Sequence, residues 1–393
     1  MLKRAVIAQG GGPTRVINRT LLGIVERLRM YHFDAIYGAR HGIQGLINQN
    51  LVDLTDPQTS NVELVSTMPG STLWTTRDKA DDEGCEKIFK VLQAHGITHF
   101  FYIGGNDTGE TLEKIARYAA PINYDLICIH VAKTVDNDLE KNHFSPGFPS
   151  AARYVVEHFT GVGLDNESFG GIYAGIVMGR DAGWLTGAAG LGKADLVYLP
   201  ERPFEIKAFL DDINNVYTTH GHCVVAVSES IRDSSGEVIA SKLQDLKKDA
   251  YGHLQLTGSL LPNYLEGEIT KVLNPSRVRC EALGYAVRSH AGCVSDVDWR
   301  EAYKLGQQAV TLGLEESGSV TIRSSGPDSF FNRLVPHSEV AGLTRRMPDE
   351  FITQHGNGVT KAFEDYLRPL LGSSVSRARR LRAPVVPKIN LDL

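Results

Sequence analysis

The chain has 393 residues and a formal net charge of −5 at pH 7, with charges of both signs spread along it. A chain of this length can bury a large core and exceeds the usual size of one domain, so we expect two domains. The mixed, nearly balanced charge gives no reason to expect nucleic acid or a membrane surface as a partner, and no apolar run approaches transmembrane length. Its five cysteines are scattered without CxxC spacing, which favours reduced thiols in a cytoplasmic protein.

Short apolar runs alternate along the chain with segments of helical period. A strand at residues 5–8 precedes a glycine turn and a helix at residues 16–30. The same order recurs with strands at 99–103, 126–131, 171–177, 195–199, 222–227 and 278–285, and with helices at 108–118, 149–159, 205–216 and 263–273. This alternation predicts βαβ units and an α/β fold with mostly parallel sheets. Because no low-complexity linker divides the chain, we expect two interwoven domains.

One polar segment, Lys133-Thr134-Val135-Asp136-Asn137-Asp138, directly follows the apolar strand at residues 126–131. The carboxyl end of a strand is where open α/β sheets bind their ligands. Phosphoryl transfer needs a carboxylate to accept a hydroxyl proton, a second acid to manage charge or metal, and a cation to neutralise phosphate oxygens. The segment contains these groups, although a polar loop after a buried strand would have a similar composition.

Two glycine turns also follow predicted strands. Gly10-Gly11-Gly12-Pro13-Thr14 can cradle a phosphate with backbone N–H groups, but it matches neither the Walker pattern nor a spaced dinucleotide fingerprint. Gly104-Gly105-Asn106-Asp107-Thr108 adds an amide, a carboxylate and a hydroxyl that suit a metal or a phosphate. Each turn alone is equally consistent with an ordinary helix start. All three strand ends would lie at one edge of a parallel sheet, which separate helix caps explain poorly.

Two further segments carry arginines. In Met178-Gly179-Arg180, glycine permits close approach of the backbone and the arginine can pair with a phosphate or form an inter-domain salt bridge. A predicted strand leads into residues 279–288, which contain Arg279, Tyr285 and Arg288. These arginines suit capture of a phosphate on an acceptor substrate or, alternatively, the exposed charges of an edge strand.

These motifs form an ordered series together with two more, Val227-Ser228-Glu229 and Leu283-Gly284-Tyr285. In order and spacing, the series resembles that of the phosphofructokinase family from residue 5 to about residue 315. The resemblance implies two interwoven three-layer α/β domains with an active site in the cleft between them. It implies a phosphoryl-donor domain at residues 1–147 plus about 288–340, and a sugar-phosphate domain at 148–287 plus about 341–393. The implied reaction is Mg²⁺-dependent phosphorylation of the C1 hydroxyl of fructose 6-phosphate.

The resemblance also implies roles for individual residues. Asp136 would be the base on the acceptor hydroxyl, and Lys133, Thr134 and Arg180 would complete the catalytic set. The implied sugar-phosphate residues are Thr134, Asp136, Asp138, Met178, Gly179, Arg180, Glu229, Arg279, Tyr285 and Arg288. The implied donor residues are Gly11, Gly12, Arg77, Gly105, Asp107, Thr108 and Lys133, with Asn106 and Asp107 as ligands of Mg²⁺.

Asp107 and Lys133 bear on the phosphoryl donor. ATP-using members of the family tend to carry glycine at both positions, whereas the pyrophosphate-using branch carries Asp and Lys. A carboxylate at 107 takes space and places negative charge where a nucleotide would lie, and a lysine at 133 offers the point charge that a small diphosphate favours. The chain therefore resembles the pyrophosphate-using branch, whose reaction is close to reversible.

Several positions depart from the family pattern. Asn106 stands where the family usually has a metal-binding Asp, and Trp74 lies in the loop that ends at Arg77. Gly171 occupies a position where many relatives offer an Arg from a neighbouring subunit to the sugar phosphate. These departures leave open a pyrophosphate- or ATP-dependent kinase of another sugar phosphate or polyol, and a non-catalytic sugar-phosphate sensor. By the resemblance, we expect a homo-oligomer, either a dimer or a tetramer.

Overall fold

A computed structural model describes residues 2–78, 80–243 and 258–373, together with 375, 381, 383–384 and 386–388 near the C-terminus. Its strands are β1 (Arg4–Gln9), β2 (Ala35–Ala39), β3 (Leu51–Asp53), β4 (His99–Gly104), β5 (Ile127–Ala132), β6 (Gly171–Val177), β7 (Leu196–Tyr198), β8 (His222–Ser228), β9 (Val278–Ala282), β10 (Gly318–Gly326) and β11 (Ser329–Val335). Its α-helices are α1 (Ile17–Met30), α2 (Gly42–Ile47), α3 (Val62–Val65), α4 (Asp82–Ala94), α5 (Asn106–Ala119), α6 (Phe148–Phe169), α7 (Trp184–Ala188), α8 (Ile206–His220), α9 (Ile239–Leu243), α10 (Leu260–Leu273), α11 (Ala286–Ser289), α12 (Asp296–Leu312) and α13 (Lys361–Leu370).

The strands form two sheets. The larger has seven strands in the order β11-β10-β5-β4-β1-β2-β3, and the smaller has four in the order β7-β8-β6-β9. All pairs are parallel except β2 with β3 and β10 with β11. The predicted α/β fold with mostly parallel sheets is therefore confirmed.

Both faces of the larger sheet are covered by helices. Along β1, Ala5 and Ile7 pack into a buried cluster with residues of α1, whereas Val6 and Ala8 pack on the other side with residues of α2 and α4. This alternation follows from the period of two along a strand, and strands buried on both faces are typical of parallel sheets. The first of these clusters continues without a break to Val177 and Trp184 beside the smaller sheet. The two sheets therefore share one continuous core.

The chain differs from the sequence-based prediction in several elements. The strand predicted at residues 278–285 ends at Ala282, because Gly284 takes a left-handed φ of +61° and the chain turns into the short helix α11. Helix α5 begins at Asn106 rather than at residue 108, and α6 continues to Phe169. The hairpin of β10 and β11 was not predicted, and it lies at an edge of the larger sheet. Among the residues described, no helix is both long and apolar enough to cross a membrane.

Candidate active site

The three polar strand ends meet because their strands are neighbours in register. Gln9 of β1 pairs with Ile103 of β4, and Gly104 of β4 pairs with Ala132 of β5. The turns that follow open on a cavity of about 470 Å³ that is also reached by segments of the smaller sheet. All the predicted site residues line this cavity except Gly179 and Arg279.

Lys133 lies at the centre of these turns and is 2% exposed. Its Nζ donates to the carbonyl oxygens of Gly10 and Gly12, at 2.8 Å each. Burial, together with the nearby Arg288, lowers the pKa of Lys133 to about 7. The amine therefore fastens the first glycine turn to the third strand end and also faces the cavity.

The first glycine turn is shaped for close contacts. Gly11 has a φ of +71°, and a Cβ at Gly12 would lie 2.6 Å from Nη1 of Arg288. The N–H of Gly11 donates to the carbonyl of Thr76, and the hydroxyl of Thr75 donates to the carbonyl of Gly11. These bonds hold the loop before Arg77 against the turn, so Arg77 reaches the cavity.

Asn106 and Asp107 occupy the first turn of α5 and line the cavity. The Oδ1 atom of Asn106 is buried and has no hydrogen-bond partner. A buried carbonyl oxygen without a donor is costly unless a ligand or ion satisfies it. Magnesium commonly takes one or two protein oxygens and completes its shell with substrate phosphates and water. Asn106 and Asp107 therefore fit a magnesium site, although the described residues contain no group of three or more His, Cys, Asp or Glu side chains able to hold a metal.

Asp136 and Asp138 face the cavity from the segment after β5. Burial raises the pKa of Asp136, while the nearby Arg180 opposes this shift. Burial and the charge of Asp136 raise the pKa of Asp138 to about 7. Between them, Asn137 is fully buried in a left-handed conformation with a φ of +57°. This conformation turns the backbone sharply, and both carboxylates line the cavity.

Met178 and Arg180 reach the cavity from the smaller sheet, directly after β6. Gly179 itself does not line the cavity, but its N–H donates to Oε1 of Glu229 at 3.1 Å and its carbonyl accepts from the hydroxyl of Ser230. Burial raises the pKa of Glu229 to about 7. With a φ of +150°, Gly179 makes the turn that joins Met178 to Arg180.

Tyr285 and Arg288 lie at the start and within the short helix α11, with the guanidinium of Arg288 4.2 Å from the centroid of the Tyr285 ring. Burial, with the neighbouring Arg77 as a second cause, lowers the pKa of Arg288. Arg279, in contrast, lies exposed on β9 and donates to the carbonyl of Val278. Arg279 does not line the cavity of its own chain, because it lies near the start of β9, whereas Tyr285 and Arg288 reach the cavity from beyond the end of that strand. Its role in the sugar-phosphate site stays a prediction.

Sequence reasoning missed several lining residues. Tyr102 of β4 is 3% exposed, and its hydroxyl oxygen lies 2.7 Å from where a Cβ at Gly10 would stand. Tyr102 lies within a largely apolar strand, so the sequence did not indicate that its side chain lines the cavity. The cavity is also lined by Thr76, Asp78, Glu110, Thr111, Val135, Asp181, Gly342 and Thr344. Gly342 and Thr344 could not be found from a motif, since they come from a segment far from the others in sequence.

A model of the family described as phosphofructokinase matches residues 4–312. The chain belongs to the phosphofructokinase family. The family assignment made from the ordered motifs is thereby confirmed, and the match extends across the strand ends that form the cavity.

Individual relatives in the family are similar over nearly the whole chain. A pyrophosphate--fructose 6-phosphate 1-phosphotransferase of Rhodospirillum rubrum is 47% identical over 98% of this chain and 98% of its own length. A sulfofructose kinase of Alkalicoccus urumqiensis is 28% identical over 94% of this chain and 95% of its own. A crystal structure of a pyrophosphate-dependent phosphofructokinase from Nitrosospira multiformis superposes with a TM-score of 0.83 at 28% identity, covering 95% of this chain and 93% of that one.

Proposed function

We propose that this member of the phosphofructokinase family transfers a phosphoryl group reversibly from pyrophosphate to the C1 hydroxyl of fructose 6-phosphate. The observation that carries the proposal is that Lys133 and Asp107 both line the cavity that holds Asp136. A cation and a carboxylate at these places favour a small diphosphate over a nucleotide. The similarity to the Rhodospirillum rubrum phosphotransferase over the whole chain supports the same donor and acceptor.

At the chemical step, Asp136 would accept the proton of the acceptor hydroxyl. Its raised pKa makes it a stronger base than an exposed aspartate. Arg180, Lys133 and the hydroxyl of Thr134 would stabilise the charge on the transferred group, since phosphoryl transfer depends mainly on positioning and electrostatics. Asp138 would keep negative charge beside the base and share its protons.

At the donor end, the backbone of Gly11, Gly12 and Gly105 would approach pyrophosphate closely, with Arg77 and Thr108 as further contacts. Asn106 and Asp107 would hold Mg²⁺ at the donor end of the cavity. When bound, magnesium would neutralise phosphate charge during transfer. At the other end, Arg288 and Tyr285 would bind the sugar phosphate, beside Met178, Gly179 and Glu229.

We also propose a cytoplasmic homo-oligomer. All five cysteines are free thiols, as expected in a reducing compartment. Arg279 lies on the exposed edge strand of the smaller sheet and would reach a sugar phosphate only in the site of a second copy.

The proposal is tested by following fructose 1,6-bisphosphate formed from fructose 6-phosphate with Mg²⁺ and either pyrophosphate or ATP. Turnover with pyrophosphate alone is the expected result. Turnover with ATP alone would contradict the interpretation that Asp107 and Lys133 favour pyrophosphate over a nucleotide. Binding of fructose 6-phosphate without turnover from any donor would instead support a sugar-phosphate sensor.

A second candidate keeps the donor and changes the acceptor. Gly171 has no side chain to offer to a sugar phosphate, and one relative is named a sulfofructose kinase. A panel of fructose 6-phosphate, sedoheptulose 7-phosphate and sulfofructose at fixed pyrophosphate would separate the two candidates. We expect the highest kcat/KM with fructose 6-phosphate.

A further inference from the structure

The match to the family model ends at residue 312, but the cavity does not. Gly342 and Thr344 line it from a segment beyond the match, between β11 and α13. This segment, residues 341–347, therefore forms part of the site although the family pattern does not include it. The same segment also contacts the loop that carries Asp136 and the segment that supplies Arg180.

Arg345 is the residue of this segment that holds the loop after β5. Its backbone N–H donates to the carbonyl of Asp138 at 2.8 Å, and its Nη1 donates to the carbonyl of Asn137 at 3.3 Å. A neighbouring antiparallel bridge joins Thr344 to Leu139. Arg345 and Thr344 thus hold the backbone of residues 137–139, in the loop that carries the carboxylates of Asp136 and Asp138.

The loop turns sharply at Asn137, whose left-handed φ of +57° is a conformation that asparagine tolerates better than other residues with a side chain, and several bonds hold it there. Besides Arg345, the side chain of Tyr366 in α13 holds it: Nδ2 of Asn137 donates to the Tyr366 hydroxyl, which donates to the carbonyl of His143. Oδ1 of Asn137 accepts from the N–H of Ser145 at 3.0 Å. Two side chains from beyond the family match therefore fix the one residue that lies between Asp136 and Asp138.

Arg345 also contacts the segment that supplies Arg180. Its guanidinium lies 4.1 Å from the ring centroid of Trp184, and Nε1 of Trp184 donates to the Arg345 carbonyl at 3.2 Å. Trp184 is fully buried and begins α7, four residues after Arg180. Arg345 thus contacts both the loop that carries Asp136, the proposed base, and the segment that supplies Arg180, the opposite charge.

We propose that Arg345 is a positioning residue for phosphoryl transfer, which sets the distance and orientation of Asp136 relative to Arg180 without contacting either substrate. The inference rests on the proposed role of Asp136 and adds a residue to that site. Proper orientation of a base contributes to turnover, and small displacements lower kcat more than they weaken binding. Loss of the Arg345 guanidinium should therefore lower kcat and leave both KM values nearly unchanged.

The test compares Arg345→Met with Arg346→Met in the fructose 6-phosphate and pyrophosphate assay. Methionine keeps the apolar stem and the backbone bonds but removes the bond to the Asn137 carbonyl and the charge over Trp184. Arg346 is exposed and adjacent, so its replacement removes the same charge without these contacts. We expect Arg345→Met to lower kcat about 10- to 100-fold with each KM within about threefold, and Arg346→Met to remain near the wild type.

A second variant keeps the proposal testable if Arg345→Met folds poorly. Tyr366→Phe removes only the hydroxyl that holds the Asn137 side chain, and we expect the same loss in kcat with unchanged KM. Because both residues act on Asn137, the double variant Arg345→Met with Tyr366→Phe should lose less than the product of the single losses.

The assays distinguish failure of the positioning role of Arg345 from failure of the proposed function. A raised KM with unchanged kcat would make Arg345 a ligand contact and would overturn the positioning role. So would a kcat of Arg345→Met equal to that of Arg346→Met in a folded, active enzyme. Absence of turnover in the wild type would instead overturn the proposed function, because that result does not depend on residue 345.

Discussion

Asp136 is the residue on which the proposed chemistry depends most. It is partly buried and lies near Arg180, with Asp138 as a second carboxylate, and its pKa is raised. We expect Asp136→Ala to lower kcat by at least about a hundredfold, the range of a general base, while calorimetric affinity for fructose 6-phosphate stays similar. Asp136→Asn, which keeps the shape, should lose as much as alanine. Near-normal turnover of either variant would contradict the role of base.

Lys133 serves two purposes in the structure, as a clamp on the Gly10 and Gly12 carbonyls and as a cation facing the cavity. Combined with Asp107→Gly, Lys133→Gly should lower kcat/KM for pyrophosphate by about a hundredfold or more, since charge-assisted contacts of about 1.5–3 kcal/mol are lost. The affinity for fructose 6-phosphate should change much less. Loss of sugar affinity with unchanged pyrophosphate kinetics would contradict the assignment of both residues to the donor.

The pH dependence follows from groups that titrate near neutrality. Lys133, with a pKa of about 7, loses its charge as the pH rises, so donor binding weakens on the alkaline side. Asp138, also with a pKa of about 7, gains a proton as the pH falls, so the carboxylate pair loses charge on the acid side. We expect a bell-shaped profile of kcat/KM with its maximum near pH 7.

The control for this profile is Asp138→Asn, which cannot titrate. The acid limb of the profile should flatten in this variant, while the alkaline limb moves to lower pH, because the charge of Asp138 raises the pKa of Lys133 and the variant removes it. A profile that is flat between pH 6 and 8, roughly one unit either side of the two pKa values, would contradict the titration of both groups in the free enzyme.

Helices α1 and α12 approach one another through two glycines. A Cβ at Gly23 would lie 2.3 Å from the carbonyl oxygen of Tyr303, and one at Gly306 would lie 2.2 Å from that of Thr20. Backbone atoms cannot give way as a flexible side chain can, so Gly23→Ala should lower the free energy of unfolding by about 1–3 kcal/mol or more. Thermal or denaturant unfolding measures the change.

Gly161 of α6 offers a matched control for this helix contact. Nothing lies within 4 Å of its Cβ position, so Gly161→Ala should be neutral or stabilise the protein by up to about 1 kcal/mol. Equal effects at Gly23 and Gly161 would mean that helix propensity, rather than close packing of α1 on α12, determines the outcome.

The elements that the sequence predicted are those with a strong local period. In α1, Ile17, Leu21 and Ile24 recur at helical spacing and are fully buried, and the apolar strand β5 is buried along its whole length. The β10–β11 hairpin has a weaker signal, because Phe330 and Phe331 are adjacent and Phe331 is 48% exposed. Its place in the sheet depends on pairing Val320 with Val131, which no local pattern encodes.

The residues of the candidate site can also be divided into those that a local sequence pattern indicates and those that it does not. Polar groups within the strand-end motifs were predicted, because consecutive residues after a parallel strand reach the same edge of the sheet. Tyr102, Gly342 and Thr344 were not predicted, since only the folded chain brings them to the cavity. Arg345, next to Thr344, was missed for the same reason. The boundaries of the predicted domains stay a prediction, and parts of the C-terminal range lie outside the described residues.

At the scale of the whole molecule, the cavity lies between two sheets that share a continuous core, and among the described residues each sheet has two edge strands. Arg279 lies on such an edge, β9, outside the cavity of its own chain. If a second copy receives this side chain, Arg279→Ala should raise KM for fructose 6-phosphate about tenfold, as loss of a charge-assisted phosphate contact predicts. Arg333→Ala is the control, since Arg333 is exposed on β11, an edge strand of the other sheet.

Mixing two impaired variants tests whether Arg279 acts across subunits. When Asp136→Ala and Arg279→Ala chains are unfolded together and refolded, half of the dimers are mixed, and each mixed dimer has one site with both residues intact. Activity at low fructose 6-phosphate should therefore recover to about a quarter of the wild-type value, from the symmetry of a two-fold dimer. If Arg279 acts within its own chain, no intact site forms and activity stays at the level of the separate variants. That result would place Arg279 outside any shared site and remove the structural reason to expect that the sugar-phosphate site needs a second copy.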